Sequence, residues 1–377
     1  MDPTRRKLLQ AIGGITATAG LAGCITSSDD EGNGNGGNGD GGNGDGETTA
    51  ATTPTTTSSP EPSTVVVATY ESFVDGNDPA GPWLKDAFEA DHDATIEYRV
   101  PNNGVNQYIQ RAQQGADIEA DLYVGLNVDE LIRLDEQLDE ALFDSFDGEL
   151  SGTDRVLDEL QFDPDGRAVP YDTGYISLVY DESEVDPDSF DDLTAERNRG
   201  NLITQNAQQS DPGRAFLLWT VHEFGEDGYL DYWADLQDND VRVLGSWDAA
   251  YNGAYRNEEA PMVVSYSTDQ VYYGDTTRHQ VGFLDGQGYA NPEGMARFAD
   301  ADDPAAAAAF MEFMLTAEAQ GEIAMRNVQF PAVEDAELDE EFEQAAKVPP
   351  EPVTFTYDEL AGNVDEWVDE WARQVAG

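Results

Sequence analysis

The run Thr64-Val65-Val66-Val67-Ala68-Thr69-Tyr70 decides the fold. Its consecutive β-branched residues lack polar alternation and predict a strand buried on both faces. Gly81-Pro82-Trp83-Leu84 then opens a helix carrying Ala87, Phe88 and Ala90. Ile96–Val100 reads as a second strand, Val105–Gln114 as a second helix and Leu122–Leu126 as a third strand, followed by a helix over Asp129–Leu142. This alternation predicts a parallel sheet covered by helices.

The same rhythm resumes downstream. A turn is expected at Pro170-Tyr171-Asp172, then strands at Tyr175–Tyr180, Asn201–Gln205, Val241–Leu244 and Pro261–Tyr266. Helices are expected over Pro212–Glu223, Tyr229–Leu236, Pro304–Leu315, Ala317–Arg326 and Val364–Val375. A body of about 310 residues exceeds what one core usually holds, so two lobes are expected. The predicted fold class is α/β and two-lobed, each lobe a mainly parallel sheet flanked by helices. The expected boundaries are 64–170 for the first lobe, 171–284 for the second, and 285–377 for a return to the first lobe with C-terminal helices.

Ahead of this body the texture differs. Arg5-Arg6 is a twin-arginine pair, followed by Lys7 and an apolar run from Leu8 to Ala22 broken by Gly13, Gly14 and Gly20. The run is short and interrupted for a membrane span and reads as an export signal over 1–23. Leu21-Ala22-Gly23-Cys24 resembles a lipobox, which makes Cys24, the only cysteine, the expected lipidation site and excludes an internal disulfide framework. Residues 24–63 are Gly/Asn/Asp-rich, then Thr/Ser/Pro-rich, and predict a lipid-anchored disordered linker. Such a tether spans about 35 Å. The expected location is the extracytoplasmic face of the cell membrane.

The formal net charge is −58, with only three lysines, Lys7, Lys85 and Lys347. That charge repels nucleic acid and anionic lipid heads, so no nucleic-acid partner is expected. The acidic residues are spread through the periodic segments, which reads as a surface adapted to concentrated salt, where self-repulsion is screened.

Several ordered stretches carry a resemblance. They include Ala68-Thr69-Tyr70-Glu71-Ser72-Phe73, Ala120-Asp121-Leu122-Tyr123-Val124-Gly125-Leu126 and Val169-Pro170-Tyr171-Asp172-Thr173-Gly174-Tyr175. Pro212-Gly213-Arg214-Ala215-Phe216-Leu217-Leu218-Trp219, Gly245-Ser246-Trp247-Asp248-Ala249-Ala250-Tyr251, Val264-Ser265-Tyr266-Ser267-Thr268 and Phe330-Pro331-Ala332-Val333 continue the series. In this order they resemble the thiamine-binding periplasmic proteins of ABC transporters, within the group of type II two-lobed solute receptors. The resemblance implies capture of thiamine, its monophosphate or its diphosphate between the lobes and delivery to an ABC permease and its ATPase subunit, with no cofactor. It places ligand contacts on Asn103, Gly104, Ser210, Trp247 and Tyr266-Ser267-Thr268-Asp269, with Tyr70 and Tyr272 as further aromatic wall positions; Glu71 is a candidate because it follows the carboxyl end of the first strand. The chain departs from the family at Asn103, where a carboxylate is expected, at Asp269, where a small hydroxyl is usual, and at Val328, where a ring is expected. An expected Trp in the first strand-to-helix loop is also missing, with Asn77 or Asp78 near that place.

Thiamine carries a cationic thiazolium, an aminopyrimidine and a hydroxyethyl arm. A receptor for it needs π faces, a counter-charge and hydrogen-bond partners for the pyrimidine edge. Tyr70, Trp247 and Tyr266 follow the carboxyl ends of predicted strands, where ligands sit in open α/β sheets. Each also has a bland reading. Tyr70 and Trp247 can pack in the core, as Trp219, Trp233, Trp367 and Trp371 are expected to. Ser210 and Asp269 can cap helices, Asn103-Gly104 can be an ordinary turn, and Asp172 fits a hinge role better than a ligand contact.

The rival solutes are ferric iron, with Tyr272-Tyr273 as a phenolate pair, and a polyamine. An enzyme is not expected. Thiamine-degrading enzymes of this fold use a cysteine nucleophile, and Cys24 belongs to the lipobox. There is no Gly-x-Ser-x-Gly elbow and no metal-ligand spacing.

Overall fold

The computed structural model describes residues 63–375 except 77, 147, 274 and 275, with backbone alone at 272, 273 and 341. The twin-arginine pair, Cys24 and nearly all of the expected linker lie outside the described residues. The linker was expected to reach residue 63, but Ser63 already opens the first strand.

The first half alternates as expected: β1 (Ser63–Ala68), α1 (Glu71–Val74), α2 (Ala80–Asp91), β2 (Ala94–Arg99), α3 (Asn106–Gln113), β3 (Leu122–Leu126) and α4 (Val128–Gln137). α4 stops five residues before the expected end. Asp139 and Glu140 would sit against the negative end of the helix dipole there, and Leu138 turns extended.

β4 (Ala168–Tyr180) corrects the expected turn at Pro170–Asp172. Those residues lie inside a 13-residue strand. Its register shifts between Pro170 and Asp172, so an irregularity in the ladder, rather than a reversal, absorbs the proline.

The second half runs α5 (Phe190–Thr194), β5 (Leu202–Gln205), α6 (Asp211–Phe224), α7 (Tyr229–Asp238), β6 (Arg242–Leu244), a π-helix at Ala249–Tyr255, β7 (Met262–Tyr266), α8 (Gln270–Tyr273) and β8 (Gln280–Gly282). It closes with β9 (Gln287–Arg297), α9 (Pro304–Met314), α10 (Ala317–Asn327), β10 (Phe330–Pro331), α11 (Glu340–Ala345), β11 (Glu351–Val353), α12 (Tyr357–Leu360) and α13 (Val364–Val375). Among the described residues no helix is long and apolar enough to cross a membrane.

The strands form one continuous sheet in the order β2-β1-β3-β9-β4-β7-β5-β6. At each end the pairing is parallel: β1 pairs with β2 and β3, and β5 pairs with β6 and β7. Between these two groups β9 and β4 run antiparallel to each other and to β3 and β7 on either side. Two α/β halves are therefore joined through a pair of long extended strands. The expected boundary at 170/171 falls inside β4, and the one at 284/285 falls just ahead of β9.

One apolar core runs through both halves and includes Ala68, Leu126, Phe216, Trp219, Trp233 and Trp371. A second lies on the opposite face of the first half, around Val65, Val67, Phe88 and Met311. A third packs the π-helix onto Ile203 and Val263. β1 contributes to two of these, since Val65 and Val67 point one way and Val66 the other, which is why its sequence is apolar throughout.

Candidate functional site

The parallel strands β1, β3, β5, β6 and β7 all end towards one cleft of about 880 Å³. This is the crevice outside the carboxyl ends of strands in which open α/β sheets hold ligands. The expected residues Tyr70, Glu71, Asn103, Gly104, Ser210, Trp247, Tyr266, Thr268 and Asp269 all line it. Ser267 does not; it is fully buried behind the wall, its amide donating to Tyr175 O. Tyr272 falls on α8, and its side chain lies outside what is described.

Two of the rings are seated on glycines. Tyr70 lies over Gly125, where a Cβ would come 2.6 Å from the ring. Gly125 also has φ +101°, so it is required twice over. Tyr266 lies over Gly174, where a Cβ would come 2.5 Å from its Cδ1. The third ring, Trp247, is half-buried and donates from Nε1 to Ser265 Oγ at 2.8 Å. Its other support is Tyr251 of the π-helix, stacked on it at 5.0 Å between centroids.

Asp269 is almost fully buried, and its Oδ2 has no hydrogen-bond partner among the described residues. Burial pushes its carboxyl up to about 7 against hydrogen bonds from Ser265 and the Tyr266 backbone. Thr268 Oγ1 and Gln329 Oε1 are likewise buried without partners in the same wall. Buried polar atoms are normally satisfied, so such a cluster around a cavity marks atoms available to a ligand.

Ser210 is the N-cap of α6, but its side chain makes no capping hydrogen bond, which corrects the bland reading of that residue. Asn103 is exposed, and Gly104 turns the chain into α3 with φ +51°. Val328 is buried in a left-handed conformation, φ 55°, at the end of α10. A β-branched residue there is strained, and its backbone, more than its side chain, shapes that wall.

Sequence reasoning missed the charged half of the cleft. Glu293 on β9, Glu130 on α4 and Asp211 on α6 face it together with Arg133, Arg214 and Arg326. The arginines are engaged. Arg214 pairs with Asp129, Arg133 reaches the same carboxylate at 3.4 Å, and Arg326 pairs with Asp78 and Glu322. The carboxyls are less well matched. Burial with Asp211 and Asp129 nearby raises Glu130 to about 8, and burial with Asp211 nearby raises Glu293 to about 7. Glu293 sits in Asn291-Pro292-Glu293-Gly294, whose composition reads as a loop, so it was not expected in a central strand.

The arrangement offers three rings, several incompletely matched carboxyls and unpaired hydroxyl and amide oxygens. That chemistry suits a small cation bearing a flat ring and hydrogen-bonding edges. Among the described residues no group of three His, Cys, Asp or Glu side chains could hold a metal.

Residues 83–350 match the profile of the bacterial extracellular solute-binding protein family. The chain is 30% identical over 322 residues to the thiamine-binding periplasmic protein of Salmonella typhimurium, covering 83% of this chain and 93% of that one. The Escherichia coli protein of the same name gives the same identity and coverage, 30%, 83% and 93%. Among solved structures, a periplasmic thiamin binding protein superposes with TM-score 0.72 at 27% identity, covering 83% of this chain and 96% of that one. A ferric binding protein from Campylobacter jejuni, at 16% identity and TM-score 0.68, covers 82% of this chain and 99% of its own and shares the fold.

Proposed function

The chain belongs to the bacterial extracellular solute-binding protein family, and from that premise we propose that it captures thiamine, or one of its phosphates, in the cleft between its halves. The observation that carries this reading is the pairing of Trp247, Tyr70 and Tyr266 with Asp269, a buried carboxyl bearing an unpartnered oxygen. The rings supply π faces to thiazolium and aminopyrimidine, and the carboxyl supplies counter-charge. Thr268, Ser210 and Asn103 are assigned the hydroxyethyl arm and the pyrimidine edge.

In this reading the protein is a receptor rather than an enzyme. It closes by bending at β4 and β9, with lobes at 64–170 plus 285–377 and at 171–284, and the closed form docks on an ABC permease driven by its ATPase subunit. Cys24 carries the lipid that holds it outside the cell after twin-arginine export.

Native mass spectrometry of the purified protein, followed by calorimetric titration, tests the proposal. A retained thiamine compound, or saturable binding of added thiamine, supports it. A visible phenolate band on adding ferric iron, with no heat from thiamine, overturns it.

A further inference from the structure

Beneath the cleft, the two long strands bring a pair of carboxyls together. Asp172 on β4 and Glu293 on β9 are register partners. Tyr171 OH donates to Glu293 Oε2 at 2.6 Å and lies 3.2 Å from Tyr70 OH. Asn327 Nδ2 donates both to Tyr70 OH, at 2.8 Å, and to Asp172 Oδ2, at 2.7 Å. Asp172 Oδ1 is buried with no partner among the described residues. Glu293 lines the cleft and Asp172 does not.

The groups facing Glu293 carry negative or no charge. They are Tyr70 beyond β1, Tyr123 on β3, Tyr171 and Asp172 on β4, Asp211 on α6 and Tyr266 on β7. Arg326, a cation of the same cleft, is occupied by Asp78 and Glu322. Two carboxyls this close, without a cation between them, do not both ionise readily.

We propose that Glu293 is a counter-charge for the bound cation, and that capture expels the proton it holds in the empty cleft. The O–H bond of the Glu293 carboxyl breaks, its electron pair stays on the carboxylate, and the proton passes to solvent as the ligand's positive charge arrives. Asp172, shielded from the cleft, stays protonated throughout, while burial and Asp211 keep Glu293 protonated until the cation arrives. Burial and its acidic neighbour Asp211 raise Glu293 to about 7, and burial with Glu293 beside it raises Asp172 well above the ordinary range. The exchange therefore falls near neutral pH. Binding favours the ionised form, so it weakens as pH falls below that value, by up to about tenfold per pH unit for one proton.

This inference rests on the thiamine reading, and the test separates the two. Thiamine is titrated calorimetrically into the whole protein at pH 6.5 in buffers of different ionisation enthalpy, which yields the protons released. The wild type should release roughly one to one and a half protons, because Asp269, also raised to about 7, contributes beside Glu293. Glu293→Gln should release clearly less and bind at least about tenfold more weakly at pH 8. Asp211→Asn removes the acidic neighbour that raises Glu293, so it should release fewer protons than wild type at pH 6.5; it also stands in if Glu293→Gln fails to fold. Tight thiamine binding with no proton release, or with release unchanged in the folded variants, overturns the inference and leaves the thiamine reading standing. No thiamine binding by the wild type between pH 6 and 8 overturns both.

Discussion

The indole of Trp247 lies flat on the ring of Tyr251, with 5.0 Å between centroids and 10° between planes. Tyr251 is fully buried in the π-helix and Trp247 is half-buried at the cleft. The inner ring therefore holds the outer one in place, and Ser265 Oγ fixes the indole edge. A flat, pre-oriented ring loses little entropy on meeting a ligand.

Trp247→Ala should weaken thiamine binding by roughly 1–2 kcal/mol, about tenfold, because a stacked or cation–π face is lost. Trp247→Phe should recover part of that. Calorimetric titration reads both, and a thermal scan should show little loss of stability from a half-buried side chain.

Gly174→Ala should disturb the site without touching a ligand. The new Cβ would fall 2.5 Å from Tyr266 Cδ1 and also strike Gln329 Oε1. Overpacking of this kind costs about 1–3 kcal/mol. The expected result is a displaced Tyr266 ring in a crystal structure of the variant and at least about tenfold weaker binding.

Asp269→Asn should discriminate by charge. Removing this carboxyl should cost thiamine roughly tenfold to a hundredfold while barely changing the affinity of a neutral aminopyrimidine fragment, since a counter-charge in a low-dielectric site acts on the cation alone. Competition between the two against wild type and variant provides the measurement.

Arg214→Ala should destabilise the fold strongly. Arg214 of α6 pairs with Asp129 of α4, linking the two halves, and both are nearly buried. Breaking a buried pair costs about 3–5 kcal/mol where the remaining charge is left alone, and Arg133, 3.4 Å from the same carboxylate, should keep the loss towards or below the lower end. Adding Asp129→Asn should restore part of the loss in urea unfolding, as double-mutant coupling requires.

The empty protein should become less stable as pH rises through neutrality. Burial raises Glu130 to about 8 and both Asp269 and Glu293 to about 7, above their ordinary values. A carboxyl whose folded value is raised contributes stability that is full below its unfolded value, near 4, and lost as pH climbs through the folded one. Calorimetric melting at constant salt should show a higher Tm at pH 5.5 than at pH 8.5, with a smaller drop in Asp269→Asn.

α2 was legible because it buries one face whose period survives in the sequence, and β1, β3 and α6 because they are buried on nearly every side and so read as continuous apolar runs. β9 was not. Gly288, Asn291, Pro292 and Gly294 strip it of strand character, and its pairing with β3, β4 and β11 supplies what propensity lacks. Pro170 misled in the same way, since an irregularity in the ladder lets a proline sit inside β4. The aromatic wall was found because Tyr70, Trp247 and Tyr266 follow strand ends, a position that local pattern reveals. Glu293, Gln329 and Arg214 had no such marker.

The order of elements, the α/β class and the ringed side of the cleft were thus already present in the chain, since they depend on residues a few positions apart. The charged side was settled by folding. Asp172 meets Glu293, and Arg214 meets Asp129, across 121 and 85 positions of sequence. No local spacing encodes those encounters, because they exist only once β4 and β9 have paired and the two halves face each other. The same closeness excludes water, and that exclusion turns ordinary carboxyls into groups poised near neutral pH.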